Sequence, residues 1–148
     1  MICGHNDLNG VYRMLTKPQQ GWTDFCLGNG SYSLSYLTNI PLDWLDRAIF
    51  GLKSRLPFDV SGYCEPGSVV CTVSLCECHI VFRSDVARRN DVFREVLPVG
   101  KMDFCKMLHD DISEHIDDWV QWNPAYRTSR EDIQSRLEQL KELLALNA

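Results

Sequence analysis

The feature that most constrains this fold is a long β-favouring run over residues 68–84, SVVCTVSLCECHIVFRS. A period of two with β-branched residues is typical of strands that have one buried face. The run is long for one strand and Glu77 interrupts it, so it predicts two antiparallel strands joined by a turn near Cys76-Glu77. We expect this hairpin in the middle of a sheet. The alternating apolar positions are Val69, Cys71, Val73, Leu75, Cys78, Ile80 and Phe82.

Strand patterns also occur on both sides of this hairpin. Residues 25–27 precede a Gly28-Asn29-Gly30 turn signal, and residues 32–36 then alternate aromatic or aliphatic side chains with serine. These segments predict two strands joined by the turn. Residues 58–61 predict another strand, and residues 92–99 predict one whose Pro98 places it at an edge of the sheet.

Three segments have helical periodicity. The first begins at Pro41 and repeats apolar residues at three- and four-residue spacing until Pro57. The second runs as one helix through residues 104–120, with an apolar residue at every fourth position. The third begins at a capping-box pattern, in which Thr128 and Glu131 satisfy each other's free backbone amides.

Together these elements predict an α+β fold in a single domain over residues 1–148. We expect an antiparallel sheet of about five or six strands with helices packed on one face. Residues 1–24 have no clear periodicity and are expected to form an irregular N-terminal cap. The sequence contains no internal repeat.

Composition narrows the class of function. The net charge is −5, which disfavours general nucleic-acid binding because that requires a basic face. No apolar run approaches the roughly 20 residues that span a bilayer, and the N-terminus does not resemble a secretory signal. Seven cysteines then indicate free thiols in a reducing compartment, so we expect a cytoplasmic protein.

The most informative polar feature is an acidic run on the second helix. At 100° per residue most of its carboxylates share one side, opposite the apolar stripe. Only Lys106 lies nearby to offset them, and the last two lie in the final turn, where the helix dipole disfavours anions. A solvated helix face is the alternative. The predicted partner-binding residues are Asp110, Asp111, Glu114, Asp117 and Asp118, with Trp122 as an anchor.

The cysteines and histidines do not form a convincing metal or catalytic pattern. Cys76 and Cys78 are separated by one residue, whereas structural zinc sites use wider knuckles in loops. Cys78 and His79 are neighbours in a strand and therefore point to opposite faces. We interpret the cysteines as small core hydrophobes, and we predict no catalytic residue, metal or cofactor.

Two further clusters have open interpretations. The aromatic cluster at the end of the second helix either packs the following connection onto the sheet or serves as an anchor for a partner. The basic group is either a phosphate site or a solvated loop. The aromatic cluster is Trp119, Trp122 and Tyr126 with Arg127, and the basic group is Arg83, Arg88, Arg89 and Arg94.

The order of elements resembles that of bacterial immunity proteins from contact-dependent growth inhibition systems. The resemblance rests on the helix PLDWLDRAIFGLKSRL, the strands around CEPGSVVCTVSLCECHIVFRS, and C-terminal helices rich in acidic residues and tryptophan. It implies a non-enzymatic protein that binds a cognate toxin domain, often a nuclease, and blocks its active site or substrate surface. No individual residue role transfers from this family.

We therefore predict a cytoplasmic binding protein that neutralises a basic toxin domain and does not itself contact nucleic acid or membrane. Its acidic helix would take the place of the toxin's anionic substrate. The alternatives are a small enzyme with a carboxylate or cysteine site, and a structural subunit of a larger assembly.

Overall fold

The computed structural model describes residues 5–6, 12–84, 92–125 and 127–148. The fold is α+β, as predicted. In chain order its elements are β1 (His5–Asn6), β2 (Tyr12–Arg13), β3 (Trp22–Phe25), β4 (Tyr32–Ser35), α1 (Ile40–Ser54), β5 (Phe58–Tyr63), β6 (Ser68–Val73), β7 (Cys78–Arg83), β8 (Val92–Leu97), α2 (Lys101–Glu114), α3 (Ile116–Val120) and α4 (Arg130–Leu146).

The central sheet has four antiparallel strands in the order β5-β6-β7-β8. The predicted hairpin of β6 and β7 lies in its middle, and β8 is an edge strand, as Pro98 predicted. The connection between β6 and β7 includes Leu75, which is largely exposed, so the alternating pattern ends at Val73 and restarts at Cys78. Inward side chains of the sheet, such as Val60, Cys71 and Ile80, are buried.

The prediction of five or six strands in one sheet is wrong, because β3 and β4 form a separate two-stranded hairpin. This hairpin packs against the inner face of the sheet instead of extending it. A Cβ on Gly62 of β5 would lie 2.9 Å from the side chain of Leu34, and the Tyr32 ring lies 5.5 Å from the Phe82 ring. The β3–β4 hairpin therefore lies face to face with the central sheet. Strands β1 and β2 form a further short antiparallel pair.

Helices cover the other end of the inner face. Phe104 of α2 packs edge-on against Phe58 of β5, with ring centroids 5.8 Å apart, and stacks on Trp44 of α1. The apolar stripe of α4, which includes Ile133 and Leu140, is buried, and α4 packs on α1 and α2. The core thus lies between the sheet and the helices, as the predicted one-sided packing requires.

Two helix boundaries differ from the sequence interpretation. The second predicted helix breaks at His115, whose φ of −121° and ψ of 38° lie outside the helical region, so it becomes α2 and α3. The last helix is capped by Ser129, whose hydroxyl accepts from the Asp132 amide. The predicted cap, Thr128, is buried one residue earlier.

Lys101 holds the C-terminal end of α1. Its ammonium is buried and donates to the carbonyl oxygens of Gly51 and Leu56, at 2.9 and 2.7 Å. A cation there satisfies carbonyls that a helix end leaves without partners and complements its dipole. Burial lowers the pKa of Lys101. No helix in the described part of the chain is long and apolar enough to cross a bilayer.

Candidate protein-binding site

The exposed carboxylates of the predicted acidic run form one surface around the junction of α2 and α3. We call this surface, made of Asp110, Glu114, Asp117 and Asp118, the acidic surface. Asp117 is its most exposed member, with 78% of its side chain accessible. A polar cleft of about 530 Å³ borders Asp118 and reaches to residues 17–21. These four residues remain candidates for contact with a partner.

Asp111 does not belong to this surface. Its side chain is 2% exposed, and Oδ2 accepts from the backbone amides of Met14 and Leu15 at 2.8 and 2.9 Å. Its predicted role as a contact residue is therefore wrong, because it faces the interior and fastens the N-terminal segment to α2. Asp111 lies seven residues after Phe104 and three after Leu108, and this spacing places it on the apolar side of the helix.

Trp122 is also absent from the surface, because it is 1% exposed. Its indole N–H donates to the Thr38 carbonyl oxygen at 3.0 Å, and its ring lies 5.2 Å from that of Trp119. The predicted anchor role is wrong in this structure, and the alternative of packing the connection is supported. Tyr126, the third aromatic residue of that cluster, lies outside the described residues.

The sequence suggested that the acidic run has almost no counter-charges, but the acidic surface has two ion pairs in the structure. Arg13 of β2, which is 13% exposed, forms an ion pair with Glu114, and Arg130 of α4 forms one with Asp117. Arg13 is 101 residues away from Glu114 in the sequence and Arg130 is 13 residues away from Asp117, so counting charges along the helix missed both partners. Arg13 and Arg130 therefore neutralise part of the negative charge of the acidic surface within the same chain.

The break at His115 also reverses the helix-dipole argument. Asp117 and Asp118 lie in the first turn of α3, not in the last turn of one long helix. Carboxylates at a helix N-terminus are favourable, so these residues do not carry the cost that was inferred for them. His115 accepts from Arg13 Nη1 at 2.8 Å through Nε2, while its Nδ1 lies 3.9 Å from Asp118 Oδ2.

The environment of Asp111 makes it the most perturbed carboxyl of this region. Burial raises the pKa of Asp111 to about 7, although the two backbone amides and the Arg13 charge favour its charged form. Both amides donate to the same oxygen, so Oδ1 can carry a proton while both hydrogen bonds are kept. The site can therefore hold a neutral carboxylic acid without losing its backbone contacts.

The interpretation of the cysteines as core residues holds for four of the six described ones, whereas Cys64 is half-buried and Cys76 is exposed. Cys71, Cys78 and Cys105 are buried in the core, and burial raises the pKa of Cys105 to about 12. A thiol with so high a pKa as that of Cys105 is protonated and inert near neutral pH. Within the described residues, no group of three or more histidine, cysteine or acidic side chains is arranged to hold a metal ion.

Of the basic group, Arg83 and Arg94 lie on the outer face of the sheet. Both side chains are exposed, and they come from the neighbouring strands β7 and β8. Arg88 and Arg89 lie outside the described residues. Sequence reasoning grouped these arginines as a loop and missed that two of them share a sheet face; the period of two along each strand was the available signal.

Comparison with known proteins gives no relative. No protein-family model, no curated protein and no solved structure matches this chain.

Proposed function

We propose that this chain is a non-enzymatic binding protein that neutralises a cognate basic toxin domain in the cytoplasm. The observation that carries the proposal is the acidic surface, in which Asp110, Glu114 and Asp117 are exposed and the half-exposed Asp118 borders a polar cleft. Concentrated negative charge attracts a basic protein and accelerates its association. A nuclease that binds phosphates through such a basic surface would lose access to its substrate.

The internal ion pairs are compatible with this role. Asp117 and Arg130 form an exposed pair, and exposed pairs contribute only about 0–1 kcal/mol to stability. A cation of the partner can therefore replace Arg130 at little cost. Glu114 is held more firmly, because Arg13 also bonds to His115 and is mostly shielded from solvent. Asp110 and Asp117 are therefore the residues through which a partner's charge is best recognised.

The first experiment asks whether neutralisation occurs. The gene directly upstream should encode a toxin domain, and co-expression of this chain should restore growth to cells that produce that domain. Absence of protection by the folded chain would contradict the proposal.

The second experiment asks whether the acidic surface mediates it. The double variant D110K/D117K should slow association with the toxin domain roughly tenfold at low salt and weaken the salt dependence of the rate. The control E138K/E142K makes the same change in net charge on exposed positions of α4 and should have little effect. Equal rates for both variants would exclude the acidic surface as the contact site.

A further inference from the structure

The outer face of the central sheet has no helix or hairpin of the described residues packed on it. Its exposed side chains include Tyr63, Val70, Val92 and Val96, with 56% of Val96 accessible. Tyr63 and Val70 alternate with buried residues along β5 and β6, as expected for a sheet with one solvated face, whereas β8 is exposed over most of its length and only its Leu97 is buried. An exposed apolar group of this kind on an otherwise polar sheet face is typical of an interaction site.

On β7 and β8, the two strands nearest the edge, basic side chains alternate with valines both along each strand and between the two strands. In the register of β7 and β8, His79 pairs with Val96, Val81 with Arg94, and Arg83 with Val92. Each cross-strand pair thus contains one basic or titratable side chain and one valine. We call this set of six residues the basic sheet face.

The two arginines of this face have no ion pair among the described residues. Arg94 is the diagonal neighbour of Arg83, since it lies two residues beyond the partner of Arg83 in the register. Diagonal neighbours lie about 7–8 Å apart, close enough for like charges to repel. His79 differs, because Glu77 contacts its Nε2 at 3.0 Å. The arginine pair therefore carries positive charge that nothing in the described chain offsets.

Protection of an exposed strand edge does not account for both arginines. Charged side chains on edge strands prevent unwanted pairing, and Arg94 on β8 fits that role. Arg83 lies on β7, which is paired on both sides, and it therefore protects no edge. Both arginines adjoin exposed or half-exposed valines, which oppose solubility and favour a contact surface.

We propose that the basic sheet face binds an extended polypeptide segment of another protein in which every second residue faces the sheet and is, in turn, a carboxylate and an apolar side chain. Such a segment matches the face in both charge and spacing, because its side chains on one side also repeat every second residue. Nucleic acid fits less well, since stacking surfaces need several aromatic rings, and these two strands present none on this face. The proposal is independent of the acidic surface and of the proposed neutralising function.

Binding can be tested with a synthetic peptide of about ten residues in which glutamate and valine alternate at every second position, with serine between them, labelled for fluorescence anisotropy. The wild-type chain should bind it and should not bind a matched peptide with lysine in place of glutamate. The variant R83Q/R94Q should weaken binding about tenfold, and V92S/V96S should weaken it severalfold. The control K53Q/K141Q removes two exposed positive charges from helices and should leave affinity within about twofold.

The location of the peptide is checked by amide chemical-shift changes, which should concentrate on β7 and β8. Any of four results would overturn the proposal. The first is the absence of peptide binding by the folded wild-type chain, and the second is an equal loss of peptide affinity in R83Q/R94Q and K53Q/K141Q. The third is tighter binding of an oligothymidine than of the peptide, if R83Q/R94Q abolishes it. The fourth is a dimer in sedimentation experiments that R83Q/R94Q dissociates, because it would assign the face to a second copy of the chain.

Discussion

The acidic surface and the basic sheet face differ in how their charges are balanced within the molecule. The acidic surface is prominent in the sequence, yet Arg13 and Arg130 reach it from β2 and α4. The basic sheet face is inconspicuous in the sequence, yet Arg83 and Arg94 stand close together without an ion pair in the described chain. Local charge density therefore does not reveal which charges are available to a partner, because folding brings in counter-charges from distant segments.

The largest expected effect concerns the buried member of the acidic run. Replacing Asp111 by alanine should lower the free energy of unfolding by roughly 2–5 kcal/mol, because the amides of Met14 and Leu15 lose a buried acceptor. D111N keeps an oxygen acceptor of nearly the same shape and should lose much less. Denaturant unfolding measures both variants. Equal stability of D111A and wild type would place Asp111 back among the surface residues.

The pH dependence of stability sharpens the same distinction between buried and exposed carboxyls. Burial raises the pKa of Asp111 from its ordinary value of 3.8 to about 7, so above pH 4 the folded chain binds a proton that the unfolded chain releases. Its contribution to stability is therefore complete below pH 4 and decreases as the pH rises toward 7. The unfolding free energy of wild type relative to that of D111N should therefore decrease as the pH rises from 4 to 7. A difference that is constant with pH would show that Asp111 does not titrate this way.

A smaller effect tests whether Arg13 stabilises the acidic surface. In a double-mutant cycle of R13Q and E114Q, the coupling energy should be about 0.5–1 kcal/mol, because Arg13 is largely shielded from solvent. The matched cycle of R130Q and D117N joins two exposed side chains and should give a coupling nearer zero. Equal coupling energies would mean that burial of Arg13 does not strengthen its pair.

Most elements of the fold were predictable because each is defined by local periodicity. The β6–β7 hairpin, the edge position of β8 and the apolar stripes of α1 and α4 follow from spacings of two, three and four residues. The β3–β4 hairpin was also predicted from its turn signal, but its separation from the central sheet was not. Its placement depends on Leu34 fitting over Gly62, a contact between residues that no local pattern relates.

The candidate site was less predictable than the fold. The exposure of Asp110 and Asp117 follows from helical projection, and the same projection also contains the signal that Asp111 faces the core. The break at His115 has no proline or glycine to announce it, and it coincides with tertiary contacts from Arg13. Ion pairs between distant elements become known only when the fold is known.

The most direct test of this account compares two double variants that each remove two positive charges. R13Q/R130Q should lower the free energy of unfolding by about 1–2 kcal/mol, because it removes the counter-charges of the acidic surface. R83Q/R94Q should change it by less than about 0.5 kcal/mol or raise it, because it relieves repulsion between two arginines that form no ion pair with any residue the structure describes. Equal losses in denaturant unfolding would contradict the claim that, among the described residues, Arg13 and Arg130 have ion-pair partners and Arg83 and Arg94 have none.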